Sequence, residues 1–419
     1  MTKQGFTTTI LHSDRRQTVE HGAVHKPLHV SVAYTYSDPE ALVRVFQGEE
    51  SGYVYGRQGN PTTNALETKI TAMEGGIATA CFSTGMAAIS ATFLALLRAS
   101  DHIVASTYLF GNTNSLFGTL ATLGCEVSFV DATKVDCVAS AIQSNTRAVF
   151  VETIANPCTQ VADLEKIGAF CVAKGLLYVV DNTLTTPYLF QPRDVGASLV
   201  INSLTKYISG HGDSLGGSVT DTGNFDWEKF PNIFESYRKS SPKLWGITQI
   251  RKKGLRDIGS TLAAEPAHRI ATGAETLGLR MTRICENAMV LAKFFAAHPR
   301  IAKVYYTGLE SHPQHQLAKV LFRSFGGLIS IELADGLDRI SFLKNLNTVI
   351  CSSHLGDTRT LAIPVADTIY WEMGPERRQS MGISDSLIRL SVGLEDIDDL
   401  ISDFGVALTV CTASRQKQG

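Results

Sequence analysis

The sequence predicts an α/β protein: a large domain built on a mostly parallel sheet, then a smaller α+β domain at the C-terminal end. Three observations predict it. Short apolar runs alternate with helical stretches between residues 78 and 202. Those runs are apolar at consecutive positions, as strands buried on both faces between layers of helices must be. After about residue 260 the rhythm changes to one long helical run followed by isolated strands.

Residues 1–60 scatter Gly, Tyr, Ser and Thr and read as irregular. "GNPTTNALETKITAMEGG" (59–76) then reads as a helix, with Asn60 as N-cap, Pro61 in the first turn and Gly75-Gly76 as the stop. Its Ala65, Leu66, Ile70 and Met73 recur at helical spacing. "ATACFSTG" (78–85) ends a strand and "MAAISATFLALLRAS" (86–100) is an apolar helix. "HIVAST" (102–107), "CEVSFVD" (125–131), "RAVFVET" (147–153) and "LLYVVDN" (176–182) are buried strands. "VDCVASAIQ" (135–143) and "ADLEKIGAFCVAKG" (162–175) are helices between them. The basic stretch 237–257 reads as a solvated helix and connection, because aromatic residues interleave it too sparsely for a nucleic-acid surface. Residues 267–298 form one helical run, with a bend expected near Gly278. "GGLISIEL" (326–333) and "SLIRLSVG" (386–393) are strands, and "DIDDLISDFGVAL" (396–408) is the last helix.

Composition narrows the function. Of 419 residues, 44% are hydrophobic and 19% charged, which fits a folded chain with a large core. A net charge of −2 gives no support for nucleic acid or an acidic membrane as partner. No apolar run reaches bilayer length and the N-terminus lacks the apolar core of a secretion signal, so the cytoplasm is the expected location. The eight cysteines form no CxxC pair and read as free thiols, with no metal site.

The candidate chemistry gathers at strand ends. "CFSTGMAA" (81–88) runs a strand into Ser83-Thr84-Gly85 and straight into a helix, a ready anion site but by itself an ordinary capped helix. No GK[ST] occurs, so it is not a Walker loop. In "VVDNTLTTP" (179–187), Asp181 closes an apolar strand. It is either a turn cap or a carboxylate aimed at a cationic ligand. "VINSLTKYISGHGDSLGG" (200–217) frames Lys206 with Ser203 and Thr205. A lysine in a partly dry site loses its proton readily and can form a Schiff base with an aldehyde. The following loop lacks the GxGxxG spacing of a dinucleotide turn. An anion site, an acid for a protonated ring nitrogen and a lysine for an aldehyde together call for pyridoxal phosphate.

With these residues in view, the sequence resembles the pyridoxal-phosphate enzymes of cysteine and methionine metabolism: cystathionine γ-synthase, cystathionine lyases, methionine γ-lyase and O-acylhomoserine sulfhydrylases. The motifs that carry the resemblance are "YGRQGNPT" (55–62), "STGMAA" (83–88), "FGNT" (110–113), "ANP" (155–157), "DNT" (181–183), "SLTKYISGHGD" (203–213) and "RLSVGLED" (389–396). The resemblance implies a fold-type I, aspartate-aminotransferase-like architecture. It implies an N-terminal arm (1–60) contacting a neighbouring subunit, a cofactor-binding large domain (61–260) and a small domain (261–419). It implies that Lys206 carries the cofactor and shuttles protons, and that Asp181 pairs with the ring nitrogen. Gly85, Met86, Ser203 and Thr205 would hold the phosphate, completed by Tyr55 and Arg57 from a neighbouring subunit. The active site is then a property of a homodimer, commonly doubled into a tetramer. Asn156 would lie near the ring hydroxyl and Arg389 would grip the substrate carboxylate. Independently, Ile388, Leu390 and Val392 share one face of their strand and Arg389 points to the other.

The sequence also departs from its relatives. Phe110 stands where many carry a tyrosine stacked on the cofactor, so the aromatic face stays and the hydroxyl is lost. Lys206, Tyr55 or a water must then do that acid–base work, and Phe110 is similar to some O-acylhomoserine sulfhydrylases. Asn112 replaces a cysteine typical of methionine γ-lyases. His354, or Ser353 one place earlier, falls near where many relatives place a serine or asparagine beside the substrate carboxylate, so the resemblance implies that one of them lies there. "IPVADTIYWEMGPERR" (363–378), with Asp367, Tyr370 and Trp371, replaces a conventional run and is expected at the substrate entrance. The reading is a γ-replacement on an O-acetyl- or O-succinylhomoserine, forming homocysteine or a related amino acid with a small nucleophile. The alternatives are a cystathionine or methionine γ-lyase, and a non-catalytic cofactor-binding protein. The intact Lys206, Asp181 and Arg389 argue against the last.

Overall fold

The computed structural model describes residues 4–15, 19–239 and 241–412. Its first sheet contains β1 (Ala78–Phe82), β2 (His102–Ser106), β3 (Glu126–Val130), β4 (Thr146–Glu152), β5 (Leu177–Asp181), β6 (Leu199–Asn202) and β7 (Gly217–Asp221). Their spatial order is β1-β7-β6-β5-β4-β2-β3, parallel throughout except for β7, which runs antiparallel to both its neighbours. The second sheet contains β8 (Ile301–Tyr305), β9 (Leu328–Leu333), β10 (Ile350–Cys351), β11 (Leu361–Pro364) and β12 (Leu387–Ser391), in the order β10-β11-β12-β9-β8. This is the large mostly parallel domain and smaller α+β domain that the sequence predicts.

The apolar strands are buried on both faces because side chains alternate along them. Val104, Val149, Val151, Tyr178, Val180 and Val200 enter one core. Ile103, Ala105, Phe150, Val179, Leu199 and Ile201 enter the opposite one. The helices start and stop where the sequence places the signals. Asn60 caps Pro61–Glu74 by accepting the Thr62 N–H, and Gly75 ends it at φ +65°. Thr84 caps Gly85–Leu96 by accepting the Ala87 N–H.

Four features differ from the sequence reading. β7 is unforeseen because only Val219 in it is large and apolar; two of its polar residues, Thr220 and Asp221, find side-chain partners within the fold instead. Thr220 shares a hydroxyl contact with Thr79 at 2.8 Å, and Asp221 accepts the Trp227 indole N–H at 2.9 Å. Residues 1–60 are not uniformly irregular: they hold the helices Phe6–His12 and Pro39–Gln47, and Ile10 is fully buried in the same core as Leu66 and Ile70. The basic stretch is not a solvated helix. Trp245–Gln249 continues as a π-helix, Ile250–Asp257, with Trp245, Ile250 and Leu255 in the core and Arg251 paired to Glu67 at 2.5 Å. The long helical run breaks at Thr276, two residues before Gly278, giving Ala264–Glu275 and Leu277–Ala297. These helices serve both cores. Ala267, Ile270, Ala274 and Met281 pack with the first sheet's residues, whereas Ala288, Leu291 and Phe295 pack with the second's.

No helix among the described residues is long and apolar enough to cross a membrane. All eight cysteines are free. Among the described residues, no group of three or more His, Cys, Asp or Glu is placed to hold a metal.

Candidate active site

A cavity of about 320 Å³ opens where β4, β5 and β6 end, with β12 of the second sheet closing its far side. Ligands of open parallel sheets bind at such carboxyl edges. Gly85, Met86, Phe110, Asn156, Asp181, Ser203, Lys206, Ser353, His354 and Arg389 all line this one cavity. The sequence spreads them over three hundred positions.

Lys206 sits in the turn after β6, its N–H donating to the Ser203 carbonyl at 3.2 Å. Burial, assisted by the Arg389 charge, lowers its pKa to about 8. Nζ lies 3.3 Å from His354 Nδ1. Asp181 is the last residue of β5 and its Oδ1 accepts the Thr183 N–H at 2.9 Å. Its register partner at the end of β4 is Glu152, also on the cavity wall. Glu152 Oε1 accepts the Phe110 N–H at 2.7 Å. Burial raises both carboxyls, and the charge of Asp181 pushes Glu152 further. The proton of the pair therefore belongs on Glu152, leaving Asp181 as the carboxylate.

At the other end, the helix Gly85–Leu96 points its N-terminus at the cavity. Thr84 engages the N–H groups of Ala87 and Ala88, which leaves those of Gly85 and Met86 at the mouth of the helix dipole. A Cβ on Gly85 would stand 2.8 Å from Ser203 Cβ, so glycine is what lets this turn approach β6. Ser203 lines the cavity beside this turn. Thr205 differs: it is buried and its hydroxyl exchanges hydrogen bonds with the Gly216 carbonyl and N–H at 3.1 and 3.0 Å.

The remaining residues frame the cavity. Arg389 is 2% exposed, and its Nη2 donates to the carbonyls of Ser353 and His354 at 2.9 Å each. Asn156 Oδ1 is buried with no partner among the described residues, a vacant acceptor that suits a ring hydroxyl. That orphan, the free N–H pair at the helix start and the lysine opposite a carboxylate fit a phosphorylated pyridine aldehyde. Tyr55 and Arg57 lie outside this cavity. Tyr55 is 48% exposed, with the Arg57 guanidinium 5.5 Å over its ring. Asn112 is exposed at the start of the next helix. The 363–378 segment is not uniformly an entrance. Tyr370 is buried, its hydroxyl donating to the Asn156 carbonyl, Trp371 is exposed, and Asp367 pairs with Arg339; Ile369 reaches the cavity.

Sequence reasoning missed Glu152. The signal was present, an acid closing the apolar run "RAVFVET" as Asp181 closes the next strand over. It also missed Glu74, fully buried behind the sheet and accepting from Asn182 and Asn202 at 3.1 and 2.6 Å.

A mostly parallel sheet with a lysine, a carboxylate and a helix N-terminus converging at its carboxyl edge defines a fold-type I pyridoxal-phosphate enzyme. The family profile of the Cys/Met metabolism PLP-dependent enzymes matches residues 7–409, and the chain belongs to that family. It is 38% identical over 405 residues to L-methionine γ-lyase of Fusobacterium nucleatum subsp. polymorphum, covering 96% of this chain and 97% of that one. It is 36% identical over 421 residues to homocysteine synthase of Schizosaccharomyces pombe, covering 97% and 98%. Among solved structures, O-acetylhomoserine (thiol)-lyase of Campylobacter jejuni, which contains a pyridoxyl-lysine phosphate, superposes with a TM-score of 0.92 at 30% identity. That match covers 97% of this chain and 100% of that one. The protein is a pyridoxal-phosphate-dependent enzyme of amino-acid metabolism, and both γ-replacement and γ-elimination occur among its relatives.

Proposed function

We propose that this enzyme performs γ-replacement on an O-acylated homoserine, with O-acetyl and O-succinyl as the acyl groups of first choice. The carrying observation is Phe110 on the cavity wall, an aromatic face without a hydroxyl. An acyloxy group leaves as a carboxylate, whose conjugate acid has a pKa near 4, and needs no proton donor. A thiolate leaving group, with a pKa near 8.5, gains far more from one. Loss of the hydroxyl therefore costs an O-acyl substrate less than it costs a thioether. The relatives named homocysteine synthase and O-acetyl-L-homoserine sulfhydrylase, the latter from Leptospira meyeri at 35% identity, support the reading.

Pyridoxal phosphate supplies, when bound, an aldehyde for a lysine amine and a cationic ring that takes up charge from the substrate α-carbon. This chain's residues do the rest. Gly85 and Met86 N–H groups and Ser203 would hold the phosphate, joined by Tyr55 and Arg57 of a second copy, whereas the Thr205 hydroxyl is committed to Gly216 and supports the turn instead. Phe110 would offer its face to the ring and the unpartnered Asn156 Oδ1 would accept from the ring hydroxyl. Asp181 keeps the ring nitrogen protonated. Arg389 binds the substrate carboxylate beside Ser353 and His354. Lys206 Nζ removes and returns protons at the substrate carbons, with Tyr55 at hand. Sulfide as nucleophile gives homocysteine; cysteine gives cystathionine. The proposed assembly is a homodimer or a tetramer of two such dimers, acting in the cytoplasm, with residues 1–60 as the arm between copies.

The test is product identification by mass after incubation with O-acetyl-, O-succinyl- and O-phosphohomoserine, each with sulfide, cysteine or neither. Homocysteine or cystathionine is expected only where the nucleophile is present. Equal 2-oxobutanoate with and without sulfide would replace this reading with γ-elimination, which the similarity to methionine γ-lyase makes the second choice. A spectral response to amino acids with no product would leave a non-catalytic binding protein.

A further inference from the structure

An α-amino acid reaches the cavity as an ammonium ion, with no lone pair on nitrogen until a base removes one proton. Among the described residues that line the cavity, the ionisable side chains are Glu152, Asp181, Lys206, His354 and Arg389. The two carboxyls lie together at the strand ends, engaged by the N–H groups of Phe110 and Thr183. Arg389 is a cation committed to two carbonyls. Phe110 has no hydroxyl to offer. Lys206 is the group the incoming amine displaces. Within one chain His354 is what is left, and Tyr55 of a second copy is the rival that the test below separates from it.

Its position is fixed by the chain around it. The His354 N–H donates to the Ser352 hydroxyl at 3.2 Å and its carbonyl accepts from Arg389 at 2.9 Å. Gly356 anchors the same loop by donating to Ser391 Oγ at 2.8 Å. Nδ1 is then 3.3 Å from Lys206 Nζ, and Nε2 is buried without a partner among the described residues. A lysine donating to Nδ1 places the ring proton on Nε2 and leaves Nδ1 with its lone pair toward Nζ. An amine that takes the place of Nζ arrives within reach of that lone pair.

We propose that His354 is the catalytic base for the substrate's amine. It takes one proton from the ammonium group on arrival and returns it to the product's amine on departure. In the first transfer an N–H bond of the ammonium breaks, its electron pair stays on the substrate nitrogen, and an N–H bond forms at Nδ1. The second transfer is the reverse, and no oxidant or reductant enters. The charged groups that face the ring are Lys206 from the turn after β6, Arg389 from β12, and Asp357 and Arg359 from its own loop. Burial and the Lys206 charge lower its pKa to about 4, so the imidazole is neutral at pH 7; the Lys206 share of that lowering would be absent with Lys206 bound to the cofactor, leaving the ring the stronger base when the amine arrives. The inference rests on Lys206 as the lysine that holds the cofactor and not on which product forms.

The test uses the full-length protein loaded with pyridoxal phosphate, its H354N, H354A and Y55F variants, and O-acetylhomoserine as the probe. Amine binding is followed by stopped flow as the absorbance change of the bound cofactor, whatever product follows. H354N should keep the resting spectrum and bind the amine about 10²-fold more slowly at pH 7, with the acid limb of its pH profile gone. Added imidazole should speed H354A about tenfold or more. A second readout needs neither variant nor cofactor: nitrogen-15 spectra of the cofactor-free chain should place the ring proton on Nε2. A proton on Nδ1 would overturn the proposal. So would an H354N rate within about threefold of the parent, a slow H354A that imidazole cannot rescue, or an acid limb lost in Y55F and kept in H354N. Absence of a borohydride-trapped cofactor on Lys206 would overturn both this inference and the role of Lys206 beneath it.

Discussion

Glu152 and Asp181 are register partners on adjacent parallel strands, so two buried carboxyls share the floor of one cavity. Their environments differ. Glu152 has the backbone N–H of Phe110 and the repulsion of Asp181; Asp181 has the N–H of Thr183 and, with cofactor in place, a ring cation. The first prediction follows from this division. Glu152→Gln retains an acceptor for Phe110 and mimics the neutral acid, so kcat should stay within about threefold of the parent. Asp181→Asn removes the only anion opposite the ring and should lower kcat about 10²–10³-fold. Equal losses in the two variants would refute the assignment of the proton to Glu152.

Lys206 should react as an amine far below the range of ordinary lysines. With a pKa lowered to about 8, its neutral fraction rises through pH 8 and levels above it. Capture of an aldehyde by the cofactor-free chain, trapped with borohydride and read by mass, should be half-maximal near pH 8. Arg389→Gln removes a nearby positive charge and should move that midpoint upward. A midpoint above pH 10 in the parent would show that Nζ is solvated.

Arg389→Lys keeps the charge and loses the planar fork. It should raise KM for the amino-acid substrate roughly 10- to 100-fold, the equivalent of about 1.5–3 kcal/mol in a charged hydrogen bond. The effect on kcat should be smaller. A variant that lowers kcat alone would place Arg389 away from the substrate carboxylate.

Glu74 makes a prediction about stability rather than turnover. Burial raises its pKa from 4.5 to about 7. Between those values the folded chain keeps a proton that the unfolded chain has released, so this group's contribution becomes less favourable as pH rises through the window. The loss is on the order of 3 kcal/mol once both states are ionised. Glu74→Gln preserves the acceptor for Asn182 and Asn202, so its denaturation midpoint relative to the parent should rise between pH 5 and 8. A constant offset between the two proteins would contradict a buried, pH-sensitive carboxyl.

What was legible in the sequence, and what was not, follows from where the physical signal lies. Strands such as "RAVFVET" announce themselves because each residue enters a core, and the caps at Asn60 and Thr84 are local chemistry. β7 hides because its polar residues are held by side-chain partners outside the strand, Thr79 across on β1 and Trp227 in the turn that follows, which an apolar pattern does not report. The basic stretch misleads because Arg251 is neutralised by Glu67, 184 residues away in sequence. In the site, Lys206 and Asp181 stand out as polar residues closing apolar runs. The contact between Lys206 and His354 spans 148 residues and needs the second sheet to be docked before it exists.

The helix Leu277–Ala297 is embedded in the first core at Met281 and in the second at Phe295. It acts as a girder across the two lobes. Lys206 rides on one lobe and Arg389 on the other, so on the roles proposed for them the helix sets the span between the amine end and the carboxylate end of a bound amino acid. Hinging of the lobes would have to bend it. A helix shared by both cores thus serves as the gauge between them.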